Sequence, residues 1–252
     1  AALAQQLVST AKEAAGNAYL SRKGLPEQAC LTLSKAHRVA LTSYRTGDVV
    51  VPLHDMSGQL VNVQLINASG EKRTLKGGQV KGACHVLNSA KPGKRIWLAE
   101  GYATGLTVYN LTGDEVWVAL SSGNLLSLAG LAREKHATLQ LMIAADRDLN
   151  GNGQDKAKKA ADASNAVVAL PPVFGDWNDA FVQLGDVPTK QALAEAAAPA
   201  TASPFDVMSE AEFSAMSASE KAERVAEHYR NALAVDASGE ILSRYRAGAW
   251  KV

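Results

Sequence analysis

The stretch Arg95-Ile96-Trp97-Leu98-Ala99-Glu100-Gly101-Tyr102-Ala103-Thr104-Gly105 decides the fold. Its apolar run ends abruptly in a carboxylate and a glycine, and a helical pattern then continues through about Leu111. The sense repeats downstream: Glu115–Leu120 precedes a helix over Leu125–Lys135, and Thr138–Ala145 ends in Asp146-Arg147-Asp148 before a helix over Gln154–Ser164. A fourth run, Ala166–Leu170, closes on Pro171-Pro172. Strand–helix alternation of this kind predicts a Rossmann-like α/β unit, a mostly parallel sheet with flanking crossover helices. Ligands of such sheets lie beyond the carboxyl ends of the strands. Glu100, Asp146 and Asp148 fall there.

Outward from this unit the pattern changes. Leu3, Leu7, Ala11 and Ala14–Ala15 are spaced for an amphipathic helix within residues 2–20, and Pro26–Lys35 suits a second short helix. Val49–His54, Gln59–Asn67 and Glu71–Lys76, separated by Asp55-Met56-Ser57-Gly58 and Ala68-Ser69-Gly70, predict an antiparallel meander. The expected organisation is an α+β subdomain over 1–92, the α/β domain over 93–190, a linker over 191–204 and a small helical region over 205–252. The linker rests on the low-complexity run Ala196–Pro204. The helical region rests on the capping boxes Ser209-x-x-Glu212 and Ser217-x-x-Glu220, with Ala222, Val225, Ala226, Tyr229 and Leu233 on one helical face. The tail Glu240–Trp250 reads as a strand or hairpin.

Charge divides unevenly along the chain. Residues 1–99 carry 13 Lys/Arg against 5 Asp/Glu, whereas residues 100–200 carry 7 against 12. That asymmetry suits a protein that grips a polyanion beside a metal site, or simply two solvated surfaces of unequal charge. Cys30 and Cys84 stand apart with no Cys-x-x-Cys pair, so neither a disulfide framework nor a zinc ribbon is expected. No apolar stretch is long enough to span a bilayer and no signal peptide opens the chain, which leads us to expect a cytoplasmic protein without a membrane partner. The first residue is Ala1 rather than methionine, as in a piece of a longer protein.

Glu100, Asp146 and Asp148 offer three carboxylates from two strand ends, and Asp176 or Asp179 in Gly175-Asp176-Trp177-Asn178-Asp179 adds a fourth. Clustered carboxylates repel one another unless a cation lies among them, and magnesium favours a few carboxylates with water and phosphate oxygens. The same residues read otherwise as a loop, a helix cap or a truncated calcium loop, the last lacking its twelfth-position glutamate, where Ala157 stands. Lys72, Arg73, Lys76 and Lys81 suit backbone tracking of nucleic acid, or equally the guarding of a sheet edge. Ser121-Ser122-Gly123-Asn124 either meets phosphate on the same rim or caps the next helix. The five histidines show no metal spacing and suit surface or capping roles; Trp97 and Trp117 suit the core, and Trp177 either packs against the sheet end or stacks on a base.

The segments Glu100-Gly-Tyr-Ala-Thr104, Asp146-Arg-Asp148 and Asp176-Trp-Asn-Asp179 together resemble the TOPRIM domain of bacterial-type primases and topoisomerases. The first is similar to the signature of alpha-type primases, the primase-helicases of satellite phages and conjugative plasmids. The resemblance extends upstream through Tyr19-Leu20-x-Arg22-Lys23-Gly24, Pro52-Leu53-x-Asp55 and Lys72-Arg73-x-Leu75-Lys76-Gly77-Gly78, covering about residues 15–185. It departs from bacterial replicative primases in having Thr104 where an acid is usual; the zinc-binding module usual upstream is not seen in residues 1–92 and is expected to be absent or to lie in sequence outside this chain.

The resemblance implies a DNA primase fragment, a nucleotidyltransferase that makes short primers on single-stranded DNA from nucleoside triphosphates during phage or plasmid replication. Glu100 would be its catalytic acid; Asp146 and Asp148, completed by Asp176 or Asp179, would bind magnesium or manganese. Lys72, Arg73, Lys76 and Lys81, with Ser122 and Asn124, would meet template and nucleotide. A helicase domain in the same full-length chain is implied as well. The rival expectations are a metal-dependent TOPRIM nuclease and a non-catalytic nucleic-acid-binding module.

Overall fold

The computed structural model describes residues 2–89, 93–149, 151–198, 217, 219–220, 233–235 and 241–243. Ala1–Ala197 form one compact unit and Ala198–Val252 a second.

In the first unit the chain runs α1 (Ala2–Thr10), β1 (Lys12–Ala14), α2 (Ala18–Arg22), β2 (Cys30–Thr32), β3 (His37–Val39), β4 (Thr42–Tyr44), β5 (Val49–His54), β6 (Leu60–Ile66) and β7 (Lys72–Thr74). Strands β1-β2-β5-β6-β7 make one antiparallel sheet in that order, and β3 pairs with β4 in a separate hairpin. Then follow β8 (His85–Leu87), β9 (Arg95–Ala99), α3 (Tyr102–Thr112), β10 (Glu115–Val118), α4 (Ser122–Lys135), β11 (Gln140–Ala144), α5 (Asn152–Ser164), β12 (Val167–Ala169), α6 (Trp177–Leu184) and α7 (Asp186–Ala197). The second sheet has the order β12-β11-β9-β10-β8, parallel except for the antiparallel edge strand β8.

Alternation along each strand explains the layering. Ile96 and Leu98 of β9 join Trp117, Leu141 and Ile143 beneath α4 and α5, whereas Trp97 and Ala99 turn to the opposite face with α3 and α6. Burial on both faces is why β9 and β11 read as unbroken apolar runs. That opposite face is shared: Val49, Val51, Leu53 and Ile66 of the antiparallel sheet sit in the same core cluster as Trp97 and Leu106. Val50 and Leu65 face away, against α1. Helix α3 comes so close to β10 that a Cβ on Gly105 would lie 2.5 Å from the Val118 side chain, so only glycine fits. Trp177 is fully buried and donates its indole N–H to the Ala169 carbonyl at 3.1 Å, the packing alternative for this residue.

The amino-terminal expectations need correction. Residues 2–20 are not one helix: α1 stops at Thr10, and β1 pairs with β2 where the Pro26–Lys35 helix was expected. Gly16 enters the left-handed region (φ 72°), and Asn17 then caps α2 by accepting from the N–H groups of Tyr19 at 2.9 Å and Leu20 at 3.3 Å. Strand pairing here overrides the helix propensity of an alanine-rich segment. Residues 191–197, expected as linker, continue α7, whose Leu193 and Ala197 are buried. His85 is partly buried: burial pushes it down to about 4, with Nδ1 3.0 Å from the Pro52 carbonyl oxygen and the ring edge-on to Tyr102. His136 does cap α4.

In the second unit, β13 (Leu233–Val235) pairs antiparallel with β14 (Ile241–Ser243), so Leu233 lies on a strand rather than the expected helical face. The Ser217 box forms: Ser217 N–H donates to Glu220 at 2.8 Å, and Glu220 N–H donates to Ser217 Oγ at 3.2 Å. The Ser209 box, Ala222–Tyr229 and Trp250 lie outside the described residues. Among the described residues, no helix is long and apolar enough to cross a membrane.

Candidate active site

The carboxylates gather where β9 and β11 end side by side. Glu100 follows β9 directly and accepts a hydrogen bond from the Ser122 backbone N–H at the start of α4. Burial raises its carboxyl above the ordinary range; Lys156 and Lys72 pull it down, and Asp148 pushes it up again. Asp146 lies two residues beyond β11 and is half-buried. Burial, reinforced by Asp176, Glu100, Asp148 and Asp179, raises its pKa from 3.8 to about 7. Among the described residues, no hydrogen bond or ion pair reaches the Asp146 carboxylate.

Backbone pairing brings the last two acids in. Arg147 N–H donates to the Gly175 carbonyl at 2.8 Å and Gly175 N–H returns a bond to Arg147 at 3.1 Å, clasping the end of β11 to the loop before α6. Gly175 is at φ 107°, and a Cβ there would collide with the Asp179 carboxylate. Beyond it a reciprocal capping box starts α6. Asp176 Oδ1 accepts from Asp179 N–H at 2.9 Å, and Asp179 Oδ2 accepts from Asp176 N–H at 3.0 Å. The other oxygens are engaged too: Asp176 Oδ2 accepts from the buried Thr104 hydroxyl at 2.9 Å, and Asp179 Oδ1 lies 3.5 Å from Lys23 Nζ.

Asp148 differs again. Its Oδ2 accepts from Gly153 N–H at 2.9 Å, and its backbone exchanges two bonds of 3.1 Å with the Gln154 amide, closing the loop into α5. The five carboxylates expected at one metal site therefore do not close into a cage: among the described residues, no three His, Cys, Asp or Glu groups are placed to hold one ion. Magnesium does not require a cage, since it keeps several waters and takes one or two carboxylates plus substrate phosphate. All the donors here are hard oxygens, and an unpaired acid among acids is relieved by a cation, so the residues fit that ion.

Of the basic candidates, Lys72 reaches the site, its Nζ lying 3.9 Å from where a Gly101 Cβ would stand. Arg73 pairs with Glu71 at 3.1 Å, and Lys76 is exposed beyond the end of β7. Lys81 instead lines a separate open groove of about 480 Å³ with Asp55, Met56, Gln79, Ser127 and Leu131. Ser122 is at the rim, bonded through its N–H to Glu100 and through Oγ to Lys156 Nζ at 3.1 Å. Asn124 requires correction. It is buried, donating to the carbonyls of Ala83 (2.7 Å) and Ala119 (3.0 Å) and accepting from Gly82 N–H (2.8 Å), which leaves nothing to offer a phosphate. Sequence reasoning missed Lys156 and Lys23. The Lys23-Gly24 motif was visible, but Lys156 carries no signal beyond being a lysine on a polar helix face.

Residues 95–186 match the Toprim domain. Two proteins called DNA primase TraC from Escherichia coli are 28% and 27% identical to this chain over 173 residues, 65% of the chain. The match takes in only 15% and 11% of their own lengths. The primase fragment of the bacteriophage T7 primase-helicase is 18% identical over 59% of this chain and 62% of its own, with a TM-score of 0.45.

Proposed function

From the premise that residues 95–186 have the Toprim fold, we propose that this chain carries the nucleotidyl-transfer centre of a DNA primase. One observation carries the reading: a half-buried Asp146, without a hydrogen-bond or ion-pair partner among the described residues, stands with Glu100 at adjacent parallel strand ends, beside a sheet that presents Lys72. The similarity to the TraC primases supports it.

Asp146, with Asp148, would hold magnesium or manganese, which when bound neutralises triphosphate charge and acidifies the attacking hydroxyl. Glu100, raised by burial, is suited to take the proton that the primer 3′-hydroxyl loses as it bonds to the α-phosphorus and pyrophosphate leaves. Asp176 and Asp179, held by the capping box, Thr104 and Lys23, fix negative charge beside Asp146 rather than offering free ligands. Lys72, Arg73 and Lys76, exposed on and beyond β7, would meet single-stranded template or nucleotide through phosphate contacts that weaken with salt. A helicase domain in the full-length protein and action in the cytoplasm belong to the same proposal.

Template-directed incorporation of labelled ribonucleotides on single-stranded DNA, with magnesium, tests it. The wild type should extend and Asp146→Ala should not. Strand cleavage without synthesis would replace the reading with a nuclease; binding with neither would leave a nucleic-acid-binding module.

A further inference from the structure

Lys156 lies outside every motif that marked the site, yet the fold brings it to Glu100. It is on α5, and its ammonium donates to Ser122 Oγ at 3.1 Å; the backbone N–H of the same Ser122 donates to Glu100. Lys72 arrives from β7, with its Nζ beside Gly101, the residue after Glu100. The two lysines come from opposite faces of the parallel sheet: α5 packs with α4 on one, and the antiparallel sheet containing β7 packs on the other. Among the described residues ion pairs join Lys23 to Asp179, Arg73 to Glu71 and Arg95 to Asp114, and neither Lys72 nor Lys156 is in one. Both are exposed.

Two ammonium groups therefore bracket the rim carboxylate without being neutralised by it. A rim that holds acids for a cation repels a triphosphate unless fixed positive charge stands at its edges. Lysine supplies such charge as a mobile point donor for phosphate oxygens. We propose that Lys156 and Lys72 form a two-sided clamp for the triphosphate of the incoming nucleotide, with the Ser122 hydroxyl holding Lys156 in place. This rests on the primase reading and names the group that secures its nucleotide. The clamp binds ligand and moves no proton.

Calorimetric binding of magnesium tripolyphosphate, which needs neither template nor synthesis, tests it on the folded chain. Lys156→Ala should weaken binding about tenfold, as loss of one charged hydrogen bond does, and Lys156→Arg should retain most of it. Lys159→Ala, an exposed lysine on the same helix, should change little. In primer synthesis Lys156→Ala should raise the KM for nucleotide by a similar factor while kcat holds. Unaltered tripolyphosphate affinity in Lys156→Ala, or an equal loss in Lys159→Ala, overturns the clamp. A wild type that makes no primer yet binds tripolyphosphate through Lys156 keeps the clamp and sinks the primase reading.

Discussion

Asp146 and Asp176 face each other across the clasp between Arg147 and Gly175, and they are treated in opposite ways. Asp176 is saturated: one oxygen caps α6, the other takes the Thr104 hydroxyl, and its partner Asp179 has Lys23. Asp146 has no such partner among the described residues and is pushed up to about 7 by burial and by those same neighbours. Capping hydrogen bonds stabilise a carboxylate and fix a helix; surrounding acids destabilise one. One half of the rim is thus structural support and the other half is strained electrostatically, the arrangement expected where binding chemistry opposes stability.

Breaking the unsupported half should have the largest effect. Asp146→Asn should cut primer synthesis about a thousandfold or more, and Glu100→Gln by about a hundred- to ten-thousandfold with the fold intact, both read by nucleotide incorporation alongside circular dichroism. Stability should respond to Asp146 through pH. Its pKa is 3.8 ordinarily and about 7 in the fold, so its stabilising contribution is whole below about pH 4 and lost as pH rises through 7. Without divalent cations, melting temperature should fall across that window by the equivalent of about 2 kcal/mol, after allowance for the solvent reaching a half-buried group. Asp146→Asn should flatten the fall.

The supported half should answer in stability first. Asp176→Ala removes the cap of α6 and should cost about 1 kcal/mol in denaturant unfolding. Thr104→Val deletes one donor to Asp176 and should cost about 1 kcal/mol or less, with Thr104→Ser close to wild type. A Thr104→Val variant as inactive as Asp146→Asn would erase the distinction between the two halves.

The sheet and its acids were legible because burial on both faces writes unbroken apolar runs, and Glu100 and Asp146 each come directly after the last apolar residue of theirs. The clasp between Arg147 and Gly175 was not, because it is a single backbone pairing set by the loop after β12. Strands β1 and β2 are three residues each, too short to show a period, and their pairing is decided by tertiary context. Asn124 read as a rim ligand because polarity alone cannot say whether an amide faces water or ties Gly82–Ala83 to Ala119. Lys156 was invisible for the converse reason: only the packing of α5 against α4 brings an ordinary surface lysine to Ser122.

The central claim is that Asp146 is held in an unfavourable state which a divalent cation relieves. Calorimetric magnesium affinity and metal-free melting temperature, measured at pH 8 on wild type and Asp146→Asn, test it together. Asp146→Asn should bind magnesium at least about tenfold more weakly and yet melt higher than wild type without metal. Unchanged affinity, or a metal-free variant less stable than wild type, would contradict it.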